Sequence, residues 1–220
     1  MRPGLGTFAG YKKDMADQEQ SLVTAEETVT VNAANAAGLK ENLRLILEEN
    51  QKLADRIDFE QVSLLIPFLQ NAERIFLTGA GRSGLSLKSA AMRLMHFGFT
   101  VFVAGETSTP AIRKGDLLIA ASGSGTTSTI VKAAEKTVAA GAQVVAFSTT
   151  TDSPLAKLSA LVVILPAAQK QDHGKTISAQ YAGSLFEQSL LLLTDAVFQT
   201  MWAEDGTPAK ELWKRHANLE

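Results

Sequence analysis

The chain predicts an α/β fold: a five-stranded parallel, doubly wound sheet of flavodoxin-like order, flanked by helices, with an N-terminal helical extension. Two observations carry this. Five short, continuously apolar runs recur between residues 75 and 165, and stretches of helical length and composition lie between them. Continuous apolar strands separated by helices imply a parallel sheet covered on both faces. Two of the runs also end in glycine-bearing turns that open helices, as strand-to-helix crossovers require.

Residues 1–35 are weakly patterned, with Gly4, Gly6 and Gly10 near the start and a polar stretch containing Asn32 and Asn35. They read as a mobile or loosely helical extension. Over residues 36–71 the rhythm becomes helical. Leu43, Leu45, Ile46 and Leu47, then Leu53 and Ile57, then Val62, Leu65, Ile66 and Leu69 recur at three- and four-residue spacings. Pro67 starts or kinks the last of these pieces. No glycine-serine linker follows, so these helices are expected to pack on the next elements, and residues 36–220 read as one domain. Strands are expected at 75–78, 100–104, 117–121, 143–148 and 161–165, and helices at 83–97 and 127–140. Five strands in so short a span suit the order 2-1-3-4-5. A long helix over 180–202 follows, and Pro208 suits the first turn of a short helix ending near His216.

Composition narrows the function classes. Of 220 residues, 45% are hydrophobic and 20% charged, too apolar for disorder. There is no cysteine, which excludes disulfide scaffolds, thiol nucleophiles and thiolate metal centres. With 21 basic against 23 acidic residues, no global field attracts nucleic acid. The apolar run over 189–198 is interrupted by Thr194 and Asp195 and is too short to span a bilayer. Asp14, Asp17 and Glu19 argue against a signal peptide. The expectation is a cytoplasmic protein without nucleic-acid or membrane partners.

Two loops are built for anions. The first strand ends in Gly79-Ala80-Gly81-Arg82-Ser83-Gly84, which spells G-x-G-x-x-G, with Glu106 about 20 residues further on, so a dinucleotide reading must be weighed. The third strand ends in Ser122-Gly123-Ser124-Gly125-Thr126-Thr127-Ser128, five hydroxyls and two glycines just before a helix. Serines and threonines also serve as ordinary helix caps. In a 2-1-3 order, however, the carboxyl ends of strands one and three flank the switch point where such sheets bind ligands. Free N–H groups at helix starts favour an anion there, and Arg82 and Ser83 add a cation and a hydroxyl. Two hydroxyl-bearing loops suit a small phosphorylated metabolite better than a dinucleotide, which needs one pyrophosphate loop and a long adenosine groove.

On the long helix, Glu187 stands among apolar neighbours, with Leu190 and Leu191 three and four residues on. It is either desolvated in a site or paired with a cation. In the crevice, burial would raise its proton affinity and suit it to general-base work. His96, late in the first sheet helix, reads as a cation stabilising the C-terminal dipole. His173 reads as solvated. His216 lies in a tail that would ordinarily fray. No histidine–carboxylate spacing resembles a metal site, so neither metal nor cofactor is expected.

Together these segments resemble the sugar isomerase (SIS) domain family and, within it, the 6-phospho-3-hexuloisomerases. The likeness covers about residues 39–220. It rests on the glycine turn, the helix reading Lys88-Ser89-Ala90-Ala91-Met92-Arg93-Leu94-Met95-His96, Gly105-Glu106-Thr107, the serine loop, Gly183-Ser184-Leu185-Phe186-Glu187, and the ending Arg215-His216-Ala217-Asn218-Leu219-Glu220. The first 35 residues lie outside the pattern, and Thr126 stands where some relatives carry glutamate. The resemblance implies interconversion of D-arabino-hex-3-ulose 6-phosphate and D-fructose 6-phosphate in the ribulose monophosphate pathway of formaldehyde fixation and detoxification. Arg82, Ser83, Ser122, Gly123, Ser124, Gly125, Thr126 and Thr127 would hold the phosphorylated ketohexose. Glu187 would move a proton from C2 to C3 through a cis-enediol. His216 would act as an acid or hydroxyl-positioning group from a neighbouring subunit of a homotetramer. Three other readings stay open: a non-catalytic phosphosugar-binding regulatory module, another aldose–ketose phosphate isomerase, and a nicotinamide dehydrogenase. Residues 1–71 carry few basic residues and no recognition helix, which disfavours the regulatory module.

Overall fold

The computed structural model describes residues 32–169 and 177–219. Most of the expected N-terminal extension, and His173, lie outside the described residues. The chain divides into two units, Met1–Asn42 and Leu43–Glu220. In the first, the Asn32 side chain opens helix α1 (Ala33–Ala54) by accepting from the N–H groups of Ala34 and Asn35, the cap role a short amide favours. The turns of α1 from Leu43 onward belong to the second unit.

There α1 is followed by α2 (Phe59–Ser63) and α3 (Leu65–Asn71). Asp58 caps α2 by accepting from the Gln61 N–H. Pro67 sits in the first turn of α3, where its missing N–H has no partner to lose, so it starts the helix rather than kinking it. The sheet is built from β1 (Ile75–Gly79), β2 (Val101–Val103), β3 (Leu117–Ala121), β4 (Gln143–Ser148) and β5 (Leu161–Ile164). Its order is β2-β1-β3-β4-β5, and every pairing is parallel. The expected α/β architecture and strand order are therefore what the chain adopts.

Side chains alternate across the sheet with the two-residue period of a strand. Ile75, Leu77, Leu117, Ile119, Val145, Phe147 and Val163 join the core that also takes residues of α1, α3, α4 (Gly81–Phe97) and α7 (Ser184–Asp205). Phe76, Leu118, Ala120, Val144 and Ala146 face the smaller core under α5 (Ser128–Ala139) and α6 (Pro154–Leu158). Because both faces are covered, β3 is buried along its whole length, which is why it reads as a continuous apolar run. An ion pair on a buried carboxylate ties the amino ends of β1 and β3: Arg74 donates to both carboxylate oxygens of Asp116, at 2.9 and 2.5 Å. Burial pushes the Asp116 carboxyl up, but the bonds from Arg74 and the Arg113 N–H outweigh it and hold the group below its ordinary value.

Several boundaries differ from expectation for local reasons. β2 is a three-residue strand at the sheet edge, only half-buried, and gives way to a turn in which Gly105 has φ 94°. α6 was not foreseen. It is five residues long, with Ser153 capping the Ala156 N–H and Pro154 in its first turn. α7 begins at Ser184, not 180, because Ala182 (φ 41°) and Gly183 (φ 79°) are left-handed and cannot be helical. It then runs to Asp205, where Gly206 (φ 70°) ends it. α8 (Ala209–Trp213) starts after Pro208 and stops three residues short of His216. Among the described residues no helix is long and apolar enough to cross a membrane.

Candidate active site

The turn from β1 into α4 has a mechanical explanation for its three glycines. A Cβ on Gly84 would run into the Gly79 carbonyl oxygen, and a Cβ on Gly79 would lie 2.9 Å from the Gly84 nitrogen. Between them Gly81 takes φ 58°. Helix and strand meet backbone to backbone, and only glycine permits it. Glu106, the acidic residue a dinucleotide reading would use, is exposed and paired with Lys88 at 2.6 Å.

The β3–α5 loop folds on itself. The Gly125 N–H donates to the Ser122 carbonyl and hydroxyl (3.0 and 3.1 Å), and the Ser122 and Thr127 hydroxyls pair at 2.9 Å. Ser124 and Thr126 share a hydroxyl–hydroxyl bond of 2.8 Å. Thr127 is the cap residue of α5 but makes no side-chain bond to its first N–H groups. The Ile130 N–H donates to the Thr127 carbonyl; the amides ahead of it, at the helix opening, lack an intrahelical partner and suit an anion.

These two loops converge on one cavity of about 520 Å³ at the carboxyl end of the sheet, within the size range of small-molecule sites. Of the expected site residues, Ser83, Ser122, Gly123, Ser124, Thr126 and Thr127 line it. Gly125 does not. With φ 64° it turns the loop, and a Cβ there would overlap the Ser153 side chain, so it shapes the loop from behind. Sequence reasoning missed Thr150, Asp152, Ala168, Gln169, Gly183 and Phe186, which also line the cavity. The run Thr149-Thr150-Thr151-Asp152-Ser153 after β4 repeats the hydroxyl signal of the loop after β3 and could have been found by it. Thr149 joins the two strand ends through a 2.8 Å bond from its hydroxyl to the Gly123 carbonyl.

Glu187 is both buried and paired, so the two alternatives open at the sequence level coexist. It is 4% exposed, and Arg82 Nε lies 3.1 Å from its Oε2. Its backbone carbonyl accepts from the Ser86 hydroxyl at 2.9 Å, fastening α7 to α4. Placed in the first turn of α7, the carboxylate also meets the positive end of that helix. Glu187 does not itself line the cavity; its neighbour Phe186 and, four residues back, Gly183 do. Arg82 is likewise not a lining residue. Its guanidinium reaches Ser184 Oγ (3.3 Å) and Glu187 instead of the serine loop.

His216 is not brought to this cavity. Its ring stacks on His96 (3.8 Å between centroids) and on Trp213 (4.3 Å). His96 is fourteen residues along α4 from Arg82, roughly 21 Å at 1.5 Å per residue. The dipole role expected of His96 also falls to another residue. Arg215 Nη1 donates to the His96 and Phe97 carbonyls at 2.9 and 3.3 Å, supplying the cation at the end of α4. His96 is buried, and burial, then His216 and Arg93, push its imidazole below the usual histidine value. Among the described residues, no three His, Asp or Glu side chains gather as a metal site would require.

The geometry can be set beside known proteins. The SIS domain family matches residues 68–192. A Mycobacterium gastri protein named 3-hexulose-6-phosphate isomerase is 59% identical over 179 residues, covering 81% of this chain and 90% of its own. A Bacillus subtilis protein of the same name is 39% identical, over 80% and 95%. Among solved structures, a Methanococcus jannaschii protein, described as inferring a function of 3-hexulose-6-phosphate isomerase, superposes with a TM-score of 0.71 at 29% identity, over 82% and 99%. The chain belongs to the SIS domain family, in the company of its 3-hexulose-6-phosphate isomerases.

Proposed function

We propose that the chain is a 6-phospho-3-hexuloisomerase, a metal-independent enzyme interconverting D-arabino-hex-3-ulose 6-phosphate and D-fructose 6-phosphate. The observation that carries the reading is the convergence of two hydroxyl-bearing loops on one cavity, with a buried carboxylate one residue along α7 from Phe186 in its wall. The relatives' shared name gives the substrate.

The ester phosphate docks against the 122–127 loop and the N-terminal turn of α5, where hydroxyls and helix amides meet its charge. The sugar then extends past Phe186 toward Glu187. The Glu187 carboxylate removes the proton from C2 of the 3-ketose, leaving a cis-enediolate across C2 and C3. The same proton returns to C3, while the hydroxyl proton passes from O2 to O3, so C2 becomes the carbonyl and nothing is gained or lost. Arg82, 3.1 Å from the base, supplies positive charge beside the developing enediolate.

The finer parts of the reading are a homotetramer working in the cytoplasm, with His216 serving a neighbour's site. Leu43 and Leu47 on α1, Met92 on α4 and Leu192 on α7 are each more than half exposed. That much apolar side chain on helices supports self-association.

A coupled assay tests the function: formaldehyde, ribulose 5-phosphate and hexulose-phosphate synthase supply substrate, and fructose 6-phosphate is detected. Glu187→Gln is expected to bind fructose 6-phosphate but lose turnover by at least ~100-fold. Near-normal turnover by that variant would remove Glu187 from the mechanism.

A further inference from the structure

α7 starts without a side-chain cap, because its cap residue is Gly183. The two residues before Ser184 are left-handed, one of them the alanine Ala182, a conformation that persists for a non-glycine residue only when its surroundings enforce it. Something outside the helix must therefore hold its first turn, from which Glu187 projects.

Ser86 and Arg82 hold it from the α4 side, and a polar circuit running from α1 holds it from the other. The Glu49 carboxylate accepts three bonds, from Ser178 Oγ (2.6 Å), the Ala179 N–H (2.7 Å) and Gln180 Nε2 (2.9 Å). Gln180 Oε1 accepts from Gln188 Nε2 (2.8 Å), and Gln188 Oε1 accepts from Asn50 Nδ2 (2.7 Å). Asn50 Nδ2 also donates to the Ile46 carbonyl (2.9 Å), while Asn50 Oδ1 accepts from Ser189 Oγ (3.1 Å). The directions are forced. The Ile46 carbonyl can only accept, which orients Asn50, then Gln188, then Gln180, so that Gln180 presents an N–H to residue 49. Every amide in the circuit uses its oxygen and its nitrogen. Only an acceptor with two oxygens can close it.

We infer that Glu49 is a positioning residue for Glu187: it gathers the turn at 178–180 onto α1 and, through Gln180, clamps Gln188, the residue next to the base. This rests on the role proposed above for Glu187. Glu49 does not line the cavity. Its effect is to keep the base carboxylate at one place relative to the sugar carbons, and proton transfer is sensitive to such placement.

Glu49→Gln is the sharp variant, since it keeps size and polarity but turns an NH₂ toward a donor. Kinetics on fructose 6-phosphate and hydrogen–deuterium exchange at residues 184–188 are compared with the parent. A second variant, Gln180→Ala, removes only the middle link and serves if Glu49→Gln does not fold. Expected are a fall in kcat of at least ~10-fold with KM changed less than ~3-fold, and faster exchange at 184–188. Unchanged exchange overturns the inference. So does faster exchange with unchanged kcat, which would make the circuit structural only, or a rise in KM alone. A parent without isomerase activity refutes the functional reading instead, and exchange in the ligand-free protein still decides whether Glu49 holds the helix start.

Discussion

Within the 122–127 loop, hydroxyl groups of the same chemistry do two different jobs. Ser122 is buried, and its hydroxyl accepts from the Gly125 N–H and pairs with the Thr127 hydroxyl. It builds the loop. Ser124 and Thr126 are bonded mainly to each other and remain accessible at the cavity, so a phosphate can exchange one weak neutral contact for charge-assisted ones. If the ester sits here, Ser124→Ala with Thr126→Ala removes two bonds to a charged ligand, each worth about 1.5–3 kcal/mol. Fructose 6-phosphate binding, measured by calorimetry, is expected to weaken by roughly 100-fold or more. Unchanged affinity would place the phosphate elsewhere.

At the scale of elements, helix α4 carries a different function at each end. Its first turn faces the cavity, and its last turn holds the C-terminal segment through Arg215, His96 and the stack of His216 on Trp213. Gly98, at φ 118°, is where the Arg215 guanidinium approaches the helix end, 3.2 Å from the position a Cβ would take. Burial and the neighbouring His216 and Arg93 depress the His96 imidazole, so below about pH 6.5 the unfolded chain takes up a proton that the folded chain resists. Stability should fall as pH drops from 7.5 to 5.5. The melting temperature of the parent is expected to drop further over that range than that of His96→Phe, which keeps an aromatic ring in the stack; equal drops would clear His96 of the effect. Elements were legible where burial is two-sided. β3 and β4 read correctly because every residue of β3, and all but the first of β4, is buried. α6 was not legible, since five residues show no helical period. Neither was the start of α7, because nothing local marks Ala182 as left-handed. That Ser83 and the serine loop meet at one cavity could be read from glycine and hydroxyl spacing together with the expected strand order. The Glu49 circuit could not, because its partners lie some 130 residues away in sequence.

For the whole molecule, the question is how two residues expected to work together can contact opposite ends of α4, Glu187 at Arg82 and His216 at His96. Within one chain they are separated by about four helical turns, and the stack on His96 fixes His216 there. A shared site therefore needs a second copy, with the α8 end of one subunit laid against the cavity of another. Trp213 is 68% exposed and Leu219 98%, so that end presents apolar surface for such a contact. Two consequences are measurable. The solution mass should be four times the 23.5 kDa of the chain. In addition, Glu187→Gln and His216→Ala, each inactive as a pure assembly, should regain activity when unfolded together and reassembled. Mixing creates interfaces at which an intact Glu187 from one parent faces an intact His216 from the other. If both residues served the same chain's site, each mixed site would inherit one defect, and reassembly would restore nothing. A chain that stays monomeric while fully active would refute the shared site more directly, since no second copy would then be present to complete it.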